Sequence, residues 1–136
     1  MNNLLSAIMT KASGSALSTA VGGRIFLDEA PEGTEFPYVV FQIVADTPQD
    51  TFTDSIEDAL IQFSIYSASS GATEITGIYA DLKALFDYCI LTITGSTHIE
   101  MVRQNLTTMM DDITTPAGTV GLKHWAVDYS IMFQTP

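Results

Sequence analysis

The sequence predicts an α+β fold, a mainly antiparallel four- to five-stranded sheet packed by two helices in the order α-β-β-β-α-β-β, and three observations predict it. Apolar residues recur at helical spacing in two stretches, one at the start and one in the middle of the chain. Several long stretches alternate apolar with polar residues, as half-buried strands do. These strand-like stretches come in consecutive runs, the pattern of antiparallel sheets with helices packed against them. The length of 136 residues fits one domain, 1–136, with one hydrophobic core.

Residues 2–19 carry the first helical stripe, Leu4, Leu5, Ile8, Ala12 and Ala16. Ser13, Gly14 and Ser15 weaken it, so an early break is expected, and Gly22 and Gly23 supply the stop. Residues 24–27 are short enough for an edge strand. An acidic, turn-rich connection over 28–35 contains Pro31 and Gly33 and leads to a strand over 37–44. In that strand Val39, Phe41 and Ile43 share one face, and Tyr38, Val40, Gln42 and Val44 share the other. A long acidic connection is expected over 46–56, longer than a tight hairpin needs. A third strand follows over 57–67, with Ala59, Ile61, Phe63 and Ile65 on its more apolar face.

The clearest helix is predicted over 72–87, where Ile75, Ile78, Tyr79, Leu82, Leu85 and Phe86 form one broad stripe. Ser70 is a candidate cap, Glu74 sits favourably near the positive end, and Asp87 falls at the unfavourable end, where the helix is expected to release. Residues 90–93 form a short strand or an approach to one. Residues 98–109 form a further long strand whose imperfect alternation a bulge would reconcile, with a turn over Met109, Met110, Asp111 and Asp112. The strand over 122–134 places Trp125, Val127, Tyr129, Ile131 and Phe133 on one face, and His124, Asp128, Ser130 and Gln134 opposite. There is no solenoid repeat and no low-complexity segment.

Composition narrows the function. The chain is 46% hydrophobic and 15% charged, which describes a folded protein. Sixteen acids against five bases give a net charge of -11, with Lys11, Arg24, Lys83, Arg103 and Lys123 scattered through an acidic background. Gripping DNA requires a local cationic excess that this sequence lacks. No apolar run approaches the roughly 20 residues of a membrane span. The Met-Asn-Asn-Leu-Leu-Ser start does not have the basic-then-apolar order of a secretion leader, so a cytoplasmic product is expected. A single cysteine, Cys89, closes no intrachain disulfide and no thiolate metal cluster.

Catalytic chemistry finds no constellation. His98 and His124 lie in no local nucleophile signature, and structural or surface service is expected of both. Cys89, at the end of an amphipathic helix, is expected to pack as an apolar residue. The pairs Glu57-Asp58 and Asp111-Asp112 point to opposite faces of a strand, and neither calcium-loop nor His-Glu-x-x-His spacing occurs. No glycine-rich loop cradles a phosphate. Neither a catalytic residue nor a cofactor is expected, although a small hydrolase relying on His98 or His124 stays among the alternatives.

Several features together carry a family resemblance: the N-terminal helix, the strand entry Phe36-Pro37-Tyr38-Val39-Val40-Phe41, the run from Ile56 through Asp58, Leu60 and Phe63 to Ser67, the helix from Ile75 to Phe86, and the terminal strand from Trp125 to Phe133. Together they span most of the chain, which resembles the tail-completion and tail-terminator proteins of tailed bacteriophages. The stretch 98–121 departs from the family's usual connection. The resemblance implies a virion protein at the head-proximal end of the tail, found in the host cytoplasm during assembly. It implies a homo-hexameric ring that closes the tail tube and offers the surface to which the head-tail connector joins, with DNA passing through unbound. A connector or a tube subunit is the alternative within the same class.

The expected ring interface draws on Tyr38, Val40, Phe52, Arg103 and Met110. Tyr38, Val40 and Val44 either pack beneath the N-terminal helix of their own subunit or meet a neighbour. Phe52 interrupts a polar loop as an apolar wedge. The acidic loops 28–35 and 46–54 either stay solvated or face a pore or stacking partner, and carboxylates lining a bore would repel DNA phosphate over a short, salt-screened range. Arg103 makes either an intrachain ion pair or an interface contact. Trp125, Tyr129 and Phe133 are expected in the core.

Overall fold

In a computed structural model, which describes residues 2–48, 50, 52, 55–68, 72–93, 95–115 and 118–135, the alternation of the central strands becomes one buried and one open sheet face. The helices are α1 (Asn2–Ala12), α2 (Ala16–Ala20) and α3 (Thr73–Phe86). The strands are β1 (Ile25–Leu27), β2 (Tyr38–Pro48), β3 (Ser55–Ser67), β4 (Thr97–Thr115) and β5 (Gly118–Thr135). They form one sheet in the order β1-β2-β3-β5-β4. Only the β1–β2 pair is parallel. Because β1 has three residues, a return crossing need span only about 10 Å, which the connection 28–37 covers without a helix.

On the buried face Val39 and Phe41 of β2 meet Ile65 and Phe63 of β3, and Ile61 and Phe63 meet Tyr129 and Val127 of β5. Phe63 is the centre of this layer. Its ring lies 5.8 Å from Phe41, 4.8 Å from Phe86 of α3 and 5.7 Å from Tyr129. Buried Ile75, Ile78, Leu82 and Phe86 of α3, and Leu4, Ala7, Ile8 and Ala12 of α1, join the same core cluster.

The expected break in the N-terminal helix falls where Gly14 takes a φ of 73°, a left-handed conformation that a side chain would strain. Ser15 then restarts the chain: its hydroxyl donates to the Ala12 carbonyl at 2.6 Å and accepts from the Ser18 amide at 3.2 Å. Gly22 and Gly23, both at positive φ, end α2 as anticipated. The candidate cap Ser70 lies outside the described residues, and the position before α3 is occupied by Ala72 without a side-chain cap bond.

Of the two forms expected for residues 90–93, the structure shows the approach segment and not the strand: Leu91 and Ile93 are buried, but the Leu91 amide donates to the His98 ring rather than to a ladder. Two boundaries differ from expectation, each for a physical reason. The long connection after β2 shrinks to 49–54, because β2 pairs with β3 out to Pro48 opposite Glu57. Residues 44–48 are exposed on both faces there, so alternation ceases to mark the strand. Met109, Met110, Asp111 and Asp112 are not a turn. They lie inside β4, which runs on to Thr115 and pairs with β5 as far as Gly118. Register shifts between His98 and Glu100 and between Arg103 and Asn105 scramble the alternation of β4, as a bulge would.

Candidate functional site

The helices lie against one side of the sheet and leave the other uncovered. There the ladder places side chains of neighbouring strands in rows. Tyr38 of β2 stands opposite Tyr66 of β3, which stands opposite His124 of β5 and, beyond it, Met109 of β4. The rings stack across strands, Tyr38 on Tyr66 at 4.9 Å and Tyr66 on His124 at 4.3 Å. Phe36 stacks on Tyr38 from the connection at 5.3 Å, and Phe26 of β1 meets it edge-on at 6.3 Å. Burial and the neighbouring Tyr66 push the Tyr38 hydroxyl's pKa up. Further along the same face comes a polar belt: the Gln42 amide donates to Gln62 at 3.5 Å, the Gln62 amide to Asp128 at 3.1 Å, and the Ser130 hydroxyl to Asp58 at 2.6 Å.

Tyr38 and Val40 therefore lie on the open face, half-buried among their sheet neighbours and not beneath α1, while Val44 is 51% exposed. Phe52, in the β2–β3 connection, is fully exposed. Met110 is 65% exposed and, with Ala72, Thr108, Met109, Lys123 and Trp125, lines a groove of about 320 Å³. Arg103 sits apart from these residues, on the helix side of the sheet. Its guanidinium donates to the Tyr79 hydroxyl at 2.5 Å and pairs with Asp87 at 3.4 Å, while the buried Tyr129 hydroxyl donates to the other Asp87 oxygen at 2.5 Å. Asp87 at the end of α3 is thus held by a cation and a phenol from two strands, which offsets its unfavourable position against the helix dipole.

Chemistry at the remaining singled-out residues is confined to packing. The His98 Nδ1 accepts from the Leu91 amide at 3.3 Å, and burial lowers the ring's pKa. His98 stands opposite Phe133 and His124 opposite Met109, far apart along the hairpin. The Cys89 sulfur lies 3.4 Å from the Met101 sulfur, and burial raises its pKa, away from thiolate reactivity. Among the described residues no three His, Cys, Asp or Glu side chains converge as a metal site would require.

Two features went unread in the sequence. One is a groove of about 380 Å³ between α1 and residues 90–92, including Lys11 and the exposed Ile90; its signal was the apolar run 90–93, which reads equally as a strand. The other is the outer part of the β4–β5 hairpin. β5 pairs with β3 as far as Lys123, so among the described residues the backbone of 111–115 pairs with that of 118–122 and with no other strand, as an arm beyond the sheet.

A family model described as tail completion protein gp17 matches residues 3–134. Among curated proteins nothing matches. Among solved structures, a chain from the virion of a native gene transfer agent particle has a similar fold, with a TM-score of 0.72 at 13% identity, over 96% of this chain and 94% of that one.

Proposed function

The chain belongs to the tail completion protein gp17 family and is a structural, noncatalytic tail protein, and from this we propose that it closes into a ring, six-fold by family resemblance, that ends the tail tube and presents the head-joining surface. The match over residues 3–134, nearly the whole chain, carries the reading. The fold suits it. A ring requires each copy to offer two different surfaces, one to each neighbour. Among the described residues this chain has a sheet face that no helix covers and two sheet edges without a strand partner, β1 and β4, at opposite ends of the strand order. The ring stands at the head-proximal end of the tail, with the tube protein on one side and the connector on the other, and is assembled in the host cytoplasm.

Tyr38 and Val40 on the open face, Met110 at the hairpin and Phe52 at the opposite end of the sheet are the residues proposed to meet other copies or neighbouring rings. Arg103, engaged with Tyr79 and Asp87 inside the chain, enters an interface only through the part of its side chain left exposed. DNA passes the bore without specific binding, kept from the wall by a surface rich in carboxylates. Electron microscopy of purified protein mixed with isolated tail tubes tests the reading. Caps confined to tube ends are expected. Lateral growth into long tubes would make the protein a tube subunit, and binding to head-side connectors without tube ends would make it a connector.

A further inference from the structure

We propose that the aromatic strip on the helix-free sheet face receives the β4–β5 hairpin arm of the neighbouring copy, so that each subunit of the ring holds the next by an arm laid on a strip; this rests on the ring reading above. The strip runs across all five strands through Phe26, Tyr38, Tyr66, His124 and Met109, with Phe36 stacked on it, a width of about 19 Å at the usual strand spacing. Its occupant is a second copy on three grounds.

The first is charge. Two chains of net charge -11 repel unless the surfaces that meet are poor in carboxylates. The strip and the next row, Val40, Ser64, Ala126 and Thr107, carry no acid, whereas the belt beyond contains Asp58 and Asp128; on the arm, Asp111 and Asp112 stand at the base, and 113–115 and 118–122 carry none. The second is chemistry: flat tyrosine and methionine surface with satisfied sheet backbone beneath it is the composition of an interface core. The third is the arm. Its five outer residue pairs, from Asp111 opposite Leu122 to Thr115 opposite Gly118, extend about 17 Å past the last residue of β3 that pairs with β5. A two-stranded ribbon alone is marginal in water and needs a surface to lie on. The arm continues β4 and β5 past His124 and Met109, the strip's own end, whereas the strip runs across the strands, so the strip proposed to receive the arm's outer pairs is a neighbour's. Arm and strip are different surfaces, and a contact between them is head-to-tail, as ring closure requires.

The test uses full-length chains in which Cys89→Ser removes the native thiol. One chain carries Thr119→Cys on the arm and an affinity tag; the other carries Thr107→Cys beside the strip. Mixed and oxidised in the presence of tail tubes, they should form the mixed disulfide in at least fivefold excess over either homodimer. In parallel, Tyr66→Ser and an arm-shortened chain lacking 112–121 should keep the circular dichroism of the parent and lose ring association by at least tenfold in sedimentation. Should either folded variant form rings as the parent does, or the mixed disulfide be no commoner than the homodimers, the arm-on-strip contact is wrong and the ring reading stands. Should strip variants form rings yet lose binding to connector, the strip belongs to that other protein and the proposal fails. A parent chain that stays monomeric even with tube ends overturns the ring reading itself.

Discussion

Two polar residues in or beside the core show how single groups are accommodated. Tyr129 is fully buried, and its hydroxyl is satisfied only because Asp87, released at the end of α3, turns back to accept it. Burial and the adjacent carboxylate raise the Tyr129 pKa far above the ordinary phenol value, so it donates throughout the accessible pH range. Tyr129→Phe should therefore destabilise the chain by about 1.5–3 kcal/mol, the range for hydrogen bonds to charged groups, measured as a shift in urea midpoint at constant slope. His98 supplies a pH dependence. Its neutral ring accepts from the Leu91 amide through Nδ1, and its buried Nε2 finds no partner among the described residues. Burial depresses its pKa, with Glu100 opposing. A group whose folded pKa is depressed destabilises the fold only once protons are available, so stability is full above the unfolded value of about 6.5 and falls as pH drops through the lowered folded pKa. His98→Gln should flatten that part of the thermal-unfolding profile between pH 7 and 5; an unchanged slope would assign the pH dependence to the carboxylates.

At the scale of elements, the sequence was legible wherever one face is buried and the other is not. The stripe of α3 and the alternation of β3 and of 122–134 are direct consequences of single-sided burial, and the structure places these elements within a few residues of their expected bounds. Legibility failed where burial is absent or shared. Residues 44–48 are exposed on both faces and extend β2 by backbone pairing alone, the sequence of 111–115 has no apolar alternation although its backbone continues the β4 ladder, and β4 changes register twice. The buried Leu91 and Ile93 mimic a strand because burial alone does not distinguish one from an ordered connection. Of the candidate surface, the aromatic side of β2 was readable from parity. Its continuation through Tyr66 and His124 depends on strand order, which alternation does not encode. Since α3 contributes its buried stripe to the layer centred on Phe63, Leu82→Ala should cost about 2–5 kcal/mol, the range for an aliphatic side chain removed from a tight core. Calorimetry of the variant checks this, and a loss below 1 kcal/mol would mean that α3 is only loosely seated.

For the whole molecule the governing quantity is charge. A net charge of -11 on 136 residues opposes contact between copies, and self-association of the proposed ring should therefore depend on salt, because screening shortens the repulsion to about 8 Å at physiological ionic strength. The acids are not spread evenly. Asp28, Glu29, Glu32 and Glu35 are all exposed in the one connection between β1 and β2. If that connection faces the bore of the proposed ring, DNA meets carboxylates on every subunit, and the multiplicity of the ring amplifies each charge by the number of copies. Replacing Glu29 and Glu32 by lysine would then convert a repelling collar into one that neutralises phosphates, each contact releasing counterions and steepening the salt dependence of binding by about 0.9 in logarithmic slope. Assembled variant rings should retain duplex DNA at least tenfold more tightly than the parent in low salt, with the difference vanishing as salt rises. The same variant left monomeric should show little of this gain, because two lysines on one subunit do not make a collar. Equal retention by parent and variant rings would put the 28–35 connection on the outside of the ring and leave its acids as a solvated surface.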